Sequence, residues 1–450
     1  MAAPLQNTRV RGAKRCPLGS FLRQDPPSIS EIAPGEPRNP PSISEIRVSI
    51  GSITQQPING VDNAYTILGD ARASTARKIP RARQPQARTT PSRARASIVG
   101  MDSLAPLAHR MPYTTAFPKA LGTGLLISTP HPITAELRGE MERFIDEYEH
   151  ALSRFRADSL VAHIGNAEHG GHFDFPDWAG PLFDLYDALH AATRGAIDPC
   201  VGEDLIRLGY DPALSFTVEA DAGERLGALH GRAVWGRDVV RSSGTTLVTR
   251  SPVHVDFGAC GKGYLVDSLG GLLTDSELSR TSHVKSAETT NPTCQSSTSD
   301  SKRESAAPEF VIDAGGDLLA RTNKPIRVAL EDPDDPSCAV GVALIGDGAF
   351  CASAPSRRHW EVAVNEQTHL AIHHLLNAID GLPVQQTEAA WIAVRSASFG
   401  DYPTAVADGL ATALFVADPN ELRSVFVFDC ATLDADRHAT ISAGFPGRFF

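Results

Sequence analysis

The sequence predicts an α+β fold, and three observations predict it. Apolar runs of strand length recur at Phe310–Ile312, Ile326–Leu330, Val340–Ile345, Ala390–Val394 and Val425–Phe428, after an earlier one at Leu125–Ile127. Between them lie segments whose apolar residues return every three or four positions, as on a helix with one buried face. The two kinds of element do not alternate one for one, so a repeating strand-helix-strand wheel is not expected.

Charge is divided unevenly along the 450 residues. Met1 to Gly100 hold 15 Lys and Arg against 6 Asp and Glu, a balance of about +9; the whole chain carries −11, so the remainder carries about −20. The same segment is rich in Pro, Ser, Arg and Ala, a composition that cannot bury enough apolar surface to offset the entropy of ordering. A repeat within it, Pro26 to Ile32 and Pro40 to Ile46, is too short and proline-rich for a solenoid. Residues 1–112 are therefore expected to form a disordered basic tail and 113–450 the folded domain. Five basic residues and no acid precede Asp25, which is compatible with a mitochondrial presequence, although the prolines there oppose an amphipathic helix. No apolar run approaches the ~18 residues of a membrane span. The seven cysteines are scattered, without the paired spacing of a zinc site or a disulfide framework. The expectation is a reducing compartment, cytoplasmic or alternatively mitochondrial, with neither a membrane nor a nucleic acid as partner.

The folded part begins near Tyr113, and Leu121-Gly122-Thr123-Gly124 opens its first strand. Leu137, Met141, Phe144, Ile145, Tyr148, Leu152 and Phe155 then mark one face of a helix. A second helix starts at Pro181, carries Leu182, Leu185, Tyr186 and Leu189, and stops at the turn residues Gly195 and Asp198-Pro199. Val253–Phe257 reads as a strand, after which Gly258, Gly261 and Gly263 interrupt regular structure until Tyr264, Val266, Leu269 and Leu272 resume helical spacing. Thr274 to Glu309 is Ser/Thr-rich and reads as a disordered insert. Adjacent glycines at Gly315-Gly316 follow the Phe310–Ile312 strand and allow a tight turn or a close approach to a ligand. A last helix is expected over Thr404–Phe415.

Three stretches could carry chemistry. The Val253–Asp267 stretch, strand then glycine-rich turn then helix, brings backbone N–H groups toward a phosphate at a helix N-terminus, with Asp256 and Lys262 beside them. It lacks the spacing of a dinucleotide fingerprint or a Walker loop, so a purely structural turn stands equally open. Asp408 and Thr412 lie four apart on one helix face, two hard oxygen ligands that suit Mg2+; alternatively Thr412 bonds its own helix and Asp408 is solvated. His373-His374 precede the apolar run Leu375-Leu376 and a turn, a setting in which a histidine is more often a satisfied core residue.

Taken in order, eight blocks resemble a known family. They run Leu121-Gly-Thr; Phe155-x-x-Asp-Ser; Thr193-x-Gly-Ala-x-Asp-Pro-x-Val-Gly; Asp256-x-Gly-Ala-x-x-Lys-Gly-Tyr-x-x-Asp; Ala314-Gly-Gly-Asp; Ser353 with Arg358-x-Trp360; His374 with Gly381-x-Pro383; and Ala407-Asp-x-x-x-Thr-Ala. This order, from about Lys119 to Asp429, resembles the FAD:protein FMN transferases of the ApbE family. The resemblance implies an α+β flavin transferase fold, and an enzyme that attaches FMN from FAD to a Thr or Ser hydroxyl of an acceptor flavoprotein and releases AMP. It further implies Mg2+ held by the Ala259 carbonyl, Asp408 and Thr412, with His374 as the general base. FAD would contact Leu121, Phe155, Ala196, Ile197, Asp198, Asp256, Lys262, Leu375 and Leu376. The chain departs from the family pattern at Leu121 (usually Met), Ala354 (usually Gly), Asn377-Ala378 (usually Asp-Pro) and Asp380 (usually Thr).

Two other functions fit the same residues. Water in place of the acceptor hydroxyl would make the chain a Mg2+-dependent FAD pyrophosphatase yielding FMN and AMP. A flavin-binding protein without activity is the third, although a mere binder has no use for the Asp408 and Thr412 pair.

Overall fold

The computed structural model describes the backbone of residues 46–48, 56–57, 106–288, 308–365, 368–395 and 400–450. Its centre is a nine-stranded sheet in the order Ile46–Val48, Ala439–Ile441, Asp429–Asp434, Thr387–Val394, Gly348–Ser353, Asp317–Arg321, Phe310–Asp313, Leu125–Thr129, Tyr113–Phe117. Every neighbouring pair is antiparallel. Period-two alternation sends successive side chains to opposite faces. Phe310, Ile312, Leu319, Cys351, Ile392 and Val394 thus enter one core, and Val311, Leu318, Ala320, Phe350, Trp391 and Ala393 enter another.

Helices cover the first face and a small sheet covers the second, which is the expected α+β arrangement. The small sheet pairs Ile326–Asp332 with Asp335–Ile345, and Gly447–Phe449 joins its side. On the helical face lie Ala135–Leu152, capped by the Thr134 side chain, and Gly180–Ala192, opened by its proline as expected. With them pack a long helix, Gly258–Glu288, and the helix Pro403–Ala413. A third cluster, Leu205, Leu208, Tyr210, Trp360, Ile372 and Leu376, forms a lobe beside these layers.

The structure corrects several local readings. Val253–Phe257 joins no sheet among the described residues: Val253, Val255 and Phe257 are buried in the helical core, and the Asp256 N–H donates to the Pro199 carbonyl at 2.7 Å. Gly258, Gly261 and Gly263 do not break the chain but begin the long helix. A Cβ on Gly263 would stand 2.3 Å from the Thr404 carbonyl oxygen. Glycine here serves close helix approach, which offsets its propensity cost of ~1 kcal/mol. The same helix runs on to Glu288, so the first part of the expected insert is helical. Its hydroxyls bond the helix itself, Thr274 Oγ1 to the Gly270 carbonyl at 2.9 Å and Ser276 Oγ to the Leu273 carbonyl at 3.0 Å. The rest of that insert, 289–307, lies outside the described residues.

Val425–Phe428 is no strand either. The Pro419–Leu422 helix overruns into turns at Arg423 to Phe426, and the strand starts at Asp429. At the N-terminus the expected tail falls mostly outside the described residues, as does the proposed presequence. Two pieces of it are paired strands, Ile46–Val48 against Ala439–Ile441 and Gln56–Pro57 against Asp335–Ile345. A short helix, Leu107–Arg110, precedes Tyr113 and buries Leu107 in the second core.

The helix contact yields a paired prediction. Gly263→Ala should cost about 1–3 kcal/mol, because its methyl meets backbone that cannot give way. Gly271→Ala, exposed on the same helix with open space around it, should be neutral or stabilise by up to about 1 kcal/mol. Urea unfolding of both variants is the check, and equal effects would contradict the close contact.

Candidate functional site

A cavity of about 870 Å³ opens between the helical layer and the third lobe, a size within the range of small-ligand and cofactor sites. Every residue selected from the sequence lines it. Leu121, Phe155, Ala196, Ile197, Asp198 and Asp256 are on its wall, and so are Ala259, Lys262, His374, Leu375, Leu376, Asp408 and Thr412.

The start of the long helix forms part of this wall. The Gly258 N–H donates to Asp256 Oδ1 at 2.6 Å and the Cys260 N–H to the Tyr186 hydroxyl at 3.2 Å. The terminus is therefore largely satisfied by the protein and is not the bare phosphate cradle that the glycines suggested. Asp256 is also ion-paired with the Arg154 guanidinium through Oδ2. Asp198 is committed similarly: its carboxylate accepts from the N–H groups of Cys200 at 2.8 Å and Trp235 at 3.2 Å, so it shapes the Ala196-Ile197 turn from within.

One turn further along the helix, Lys262 lies between two buried carboxylates. Its ammonium donates to Asp317 Oδ2 and to Asp408 Oδ1, the latter at 3.0 Å. Burial alone would lower the lysine pKa, but the charges of Asp317 and Asp408 outweigh it and raise it. Burial and, next, the charge of Asp317 push Asp408 up to about 7. Asp408 Oδ2 accepts from the Gly263 N–H at 3.0 Å. A regular helix aims that N–H at the Ala259 carbonyl, so the carboxylate competes for it at the atom the resemblance assigns to the metal.

The donor set fits a hard divalent cation. Among the described residues no group of three or more His, Cys, Asp or Glu side chains is arranged to hold a metal. One carboxylate, one hydroxyl and one carbonyl is nevertheless the sparse oxygen set that Mg2+ completes with water and substrate phosphates. Asp317 Oδ1, buried and without a hydrogen-bond partner, leaves two carboxylates facing one ammonium.

The two histidines separate cleanly. His373 Nε2 lies 2.8 Å from the Val384 carbonyl, and its Nδ1 accepts the Leu375 N–H at 3.2 Å, which makes it a satisfied core residue. His374 Nδ1 is 3.2 Å from the Arg358 carbonyl, an acceptor only, so the ring proton is assigned to Nδ1 and Nε2 keeps its lone pair. Burial, above all, lowers its pKa to about 3, which keeps the ring neutral.

Several wall residues went unselected. Arg154 stacks 4.2 Å from the Phe155 ring and 4.6 Å from that of Tyr210. Arg358 donates to the Tyr210 hydroxyl, and Tyr210 stacks on Trp360. Arg358 and Trp360 stand in one of the eight family-like blocks, whereas nothing in the sequence points to Tyr210. Leu121 has a φ of 53°, in the left-handed region that β-carbons disfavour, and Glu149 Oε1 holds its N–H at 2.7 Å. Of the departures from the family pattern, Ala354 has φ −150° and ψ 140°, backbone open to any residue, and Asn377 Oδ1 accepts the Ile379 N–H.

Fold and site together define an α+β protein built round a nucleotide-sized cavity with Lys262 and Asp408 in its wall and Asp317 paired to the lysine from behind it. The model of the ApbE family matches residues 121–281 and 298–435, and the chain belongs to that family. Its fold is similar to that of the ApbE protein from Thermotoga maritima, with a TM-score of 0.56 and 18% identity over 74% of this chain and 97% of that one. The Pseudomonas stutzeri flavinyl transferase ApbE in its apo form gives 0.52 and 20% over 74% and 94%. The Vibrio cholerae flavin transferase ApbE gives 0.53 and 19% over 74% and 97%. No curated protein sequence matches the chain. No helix among the described residues is long and apolar enough to cross a membrane.

The neutral His374 has a measurable consequence for stability. Its folded pKa of about 3 lies below the ordinary value of 6.5, so protonation favours the unfolded chain. Its contribution is complete above pH 6.5 and is lost as pH falls toward 3. His374→Gln should therefore lose less stability than wild type between pH 7.5 and 4, as read by urea unfolding; an unchanged difference would contradict the buried neutral ring.

Proposed function

We propose that the chain is a divalent-cation-dependent FAD:protein FMN transferase, a reading supported not by any single motif but by the convergence of its candidate residues on one cavity.

 The observation that carries this reading is that His374, with Nδ1 engaged by the Arg358 carbonyl, shares the cavity wall with Lys262, Asp408 and Thr412. In it the acceptor's Thr or Ser hydroxyl oxygen attacks the phosphorus on the FMN side of the FAD pyrophosphate. A phosphoester bond forms, the P–O–P bridge breaks, AMP leaves, and the hydroxyl proton passes to His374 Nε2. Lys262 supplies positive charge to the phosphates. Phe155, Leu375 and Leu376 supply apolar wall for the ring systems, beside the backbone of Leu121 and of the Ala196-Ile197-Asp198 turn.

Asp408, the Thr412 hydroxyl and the Ala259 carbonyl would hold the cation, Mg2+ in the simplest case. When bound, it supplies charge neutralisation for the pyrophosphate and the departing AMP. The low pKa of His374 belongs to the cavity without substrate; an anionic pyrophosphate nearby favours the imidazolium and so strengthens the base when FAD is bound. The described cysteines Cys200, Cys260, Cys338, Cys351 and Cys430 are free, which supports a reducing compartment, with the cytoplasm as our reading and the mitochondrion as the alternative.

The test is incubation with FAD, Mg2+ and candidate acceptor flavoproteins, followed by mass spectrometry. FMN covalently attached to a Thr or Ser, with AMP in equal amount, is the expected result. Free FMN with AMP, independent of acceptor, would make the chain a pyrophosphatase, and no cleavage at all would make it a flavin-binding protein. His374→Ala should retain FAD and Mg2+ binding in calorimetry while transfer falls by ~100- to 10,000-fold. Asp408→Ala should instead lose Mg2+ affinity and regain part of its activity at excess Mg2+. A His374→Ala variant that no longer binds FAD would mean that the histidine is structural.

A further inference from the structure

Asp317 lies outside the cavity lining and has no part in the chemistry above, yet it is among the most buried charged groups, 1% exposed. It opens its strand directly after Gly315 and Gly316, both at positive φ, so the turn delivers its carboxylate to the underside of Lys262. One oxygen takes the ammonium and the other, Oδ1, is buried without a hydrogen-bond partner. On the cavity side Asp408 presents two oxygens of unequal freedom. Oδ2 is held by the Gly263 N–H at 3.0 Å, and Oδ1 is the one that Lys262 holds, also at 3.0 Å. A cation that takes Asp408 without disturbing the helix contact therefore meets Lys262 at the same oxygen.

We propose that Lys262 is a resident counterion of the cation site and that Asp317 is the positioning residue that retains it: the ammonium shares Asp408 while no divalent cation is bound and rests on Asp317 when one is. This rests on the reading above that Asp408 takes the cation. A dication and an ammonium on one oxygen repel strongly in a cavity of reduced dielectric, so one displaces the other. Asp317 offers the displaced ammonium a second acceptor, its unpartnered Oδ1, and keeps it at the cavity wall. The lysine side chain is 31% exposed and so has room to shift. An N–H released from Asp408 is then available to a phosphate oxygen, which makes cation binding and FAD binding mutually favourable.

The experiment is calorimetric titration of Mg2+, and separately Mn2+, into the flavin-free full-length protein. Lys262→Met should tighten cation binding by about tenfold or more, because it removes the competitor, while FAD binding weakens and loses its dependence on the cation. Asp317→Asn should weaken cation binding by about tenfold, because Lys262 is then left with Asp408 as its charged partner. The double variant removes one charge of each sign and should bind the cation at least as tightly as wild type. It carries the test should Lys262→Met fail to fold. Cation binding that is weakened or unchanged in a folded Lys262→Met protein, or weaker than wild type in the double variant, overturns the proposal. Asp408→Ala separates the two levels: if it abolishes cation binding, the site is as read and the lysine variants decide; if binding survives, the site itself is misassigned and the proposal falls with it.

Discussion

The distance between two helices governs the rest of the site. The long helix and Pro403–Ala413 approach until a Cβ on Gly263 would overlap the Thr404 carbonyl, and a Cβ on Gly409 would lie 2.8 Å from Cys260 Sγ. Two carboxylates, one from each helix, stitch the contact in opposite directions. Asp267 of the long helix accepts the N–H groups of Thr404 and Ala405 at the start of the other helix. Asp408 returns a bond to the Gly263 N–H. Burial pushes Asp267 up to about 7, a measure of how dry the contact is. This close approach sets Lys262 against Asp408, and both line one cavity wall with Ala259.

The sheet supplies what the helices cannot. Phe310–Asp313 and Asp317–Arg321 are buried on both faces and so make a stiff platform. From the turn between them Asp317 reaches Lys262. The third lobe closes the cavity from the other side. Its Trp360 is anchored by an indole N–H to the Leu208 carbonyl, and its strand His359–Asn365 is followed, after Thr368–His373, by His374. His374 and the carboxylates therefore arrive on separately packed parts of the fold.

Much of this was legible in the residues. Strands with apolar runs and helices with a 3.6-residue period announced themselves, because burial on one or two faces leaves a pattern in one dimension. The glycines misled for a physical reason: at Gly263 the absence of a Cβ answers to Thr404, far away in sequence, and not to a local turn. Val253–Phe257 misled likewise, since a segment buried at alternate residues looks like a strand whether or not a neighbour completes its ladder. Of the cavity wall, groups with distinctive chemistry at short spacing were legible. Those that act by contact at long separation were missed, such as Glu149 holding Leu121 and Tyr210 stacked between Arg154 and Trp360.

The ion cluster shows which demands the fold serves. Burying an ammonium with two carboxylates is a poor stability device, since the desolvation of each charge rivals their attraction, and apolar side chains of equal volume would serve folding as well or better. Here the arrangement is also incomplete, for one buried carboxylate oxygen has no partner. Such an imbalance persists only where something besides folding requires it. An added cation would correct the excess negative charge, and an added phosphate would take the ammonium that the cation displaces. On the proposed reading the cluster is best satisfied with cation and phosphate in place, and the stability it forgoes without them is available for binding.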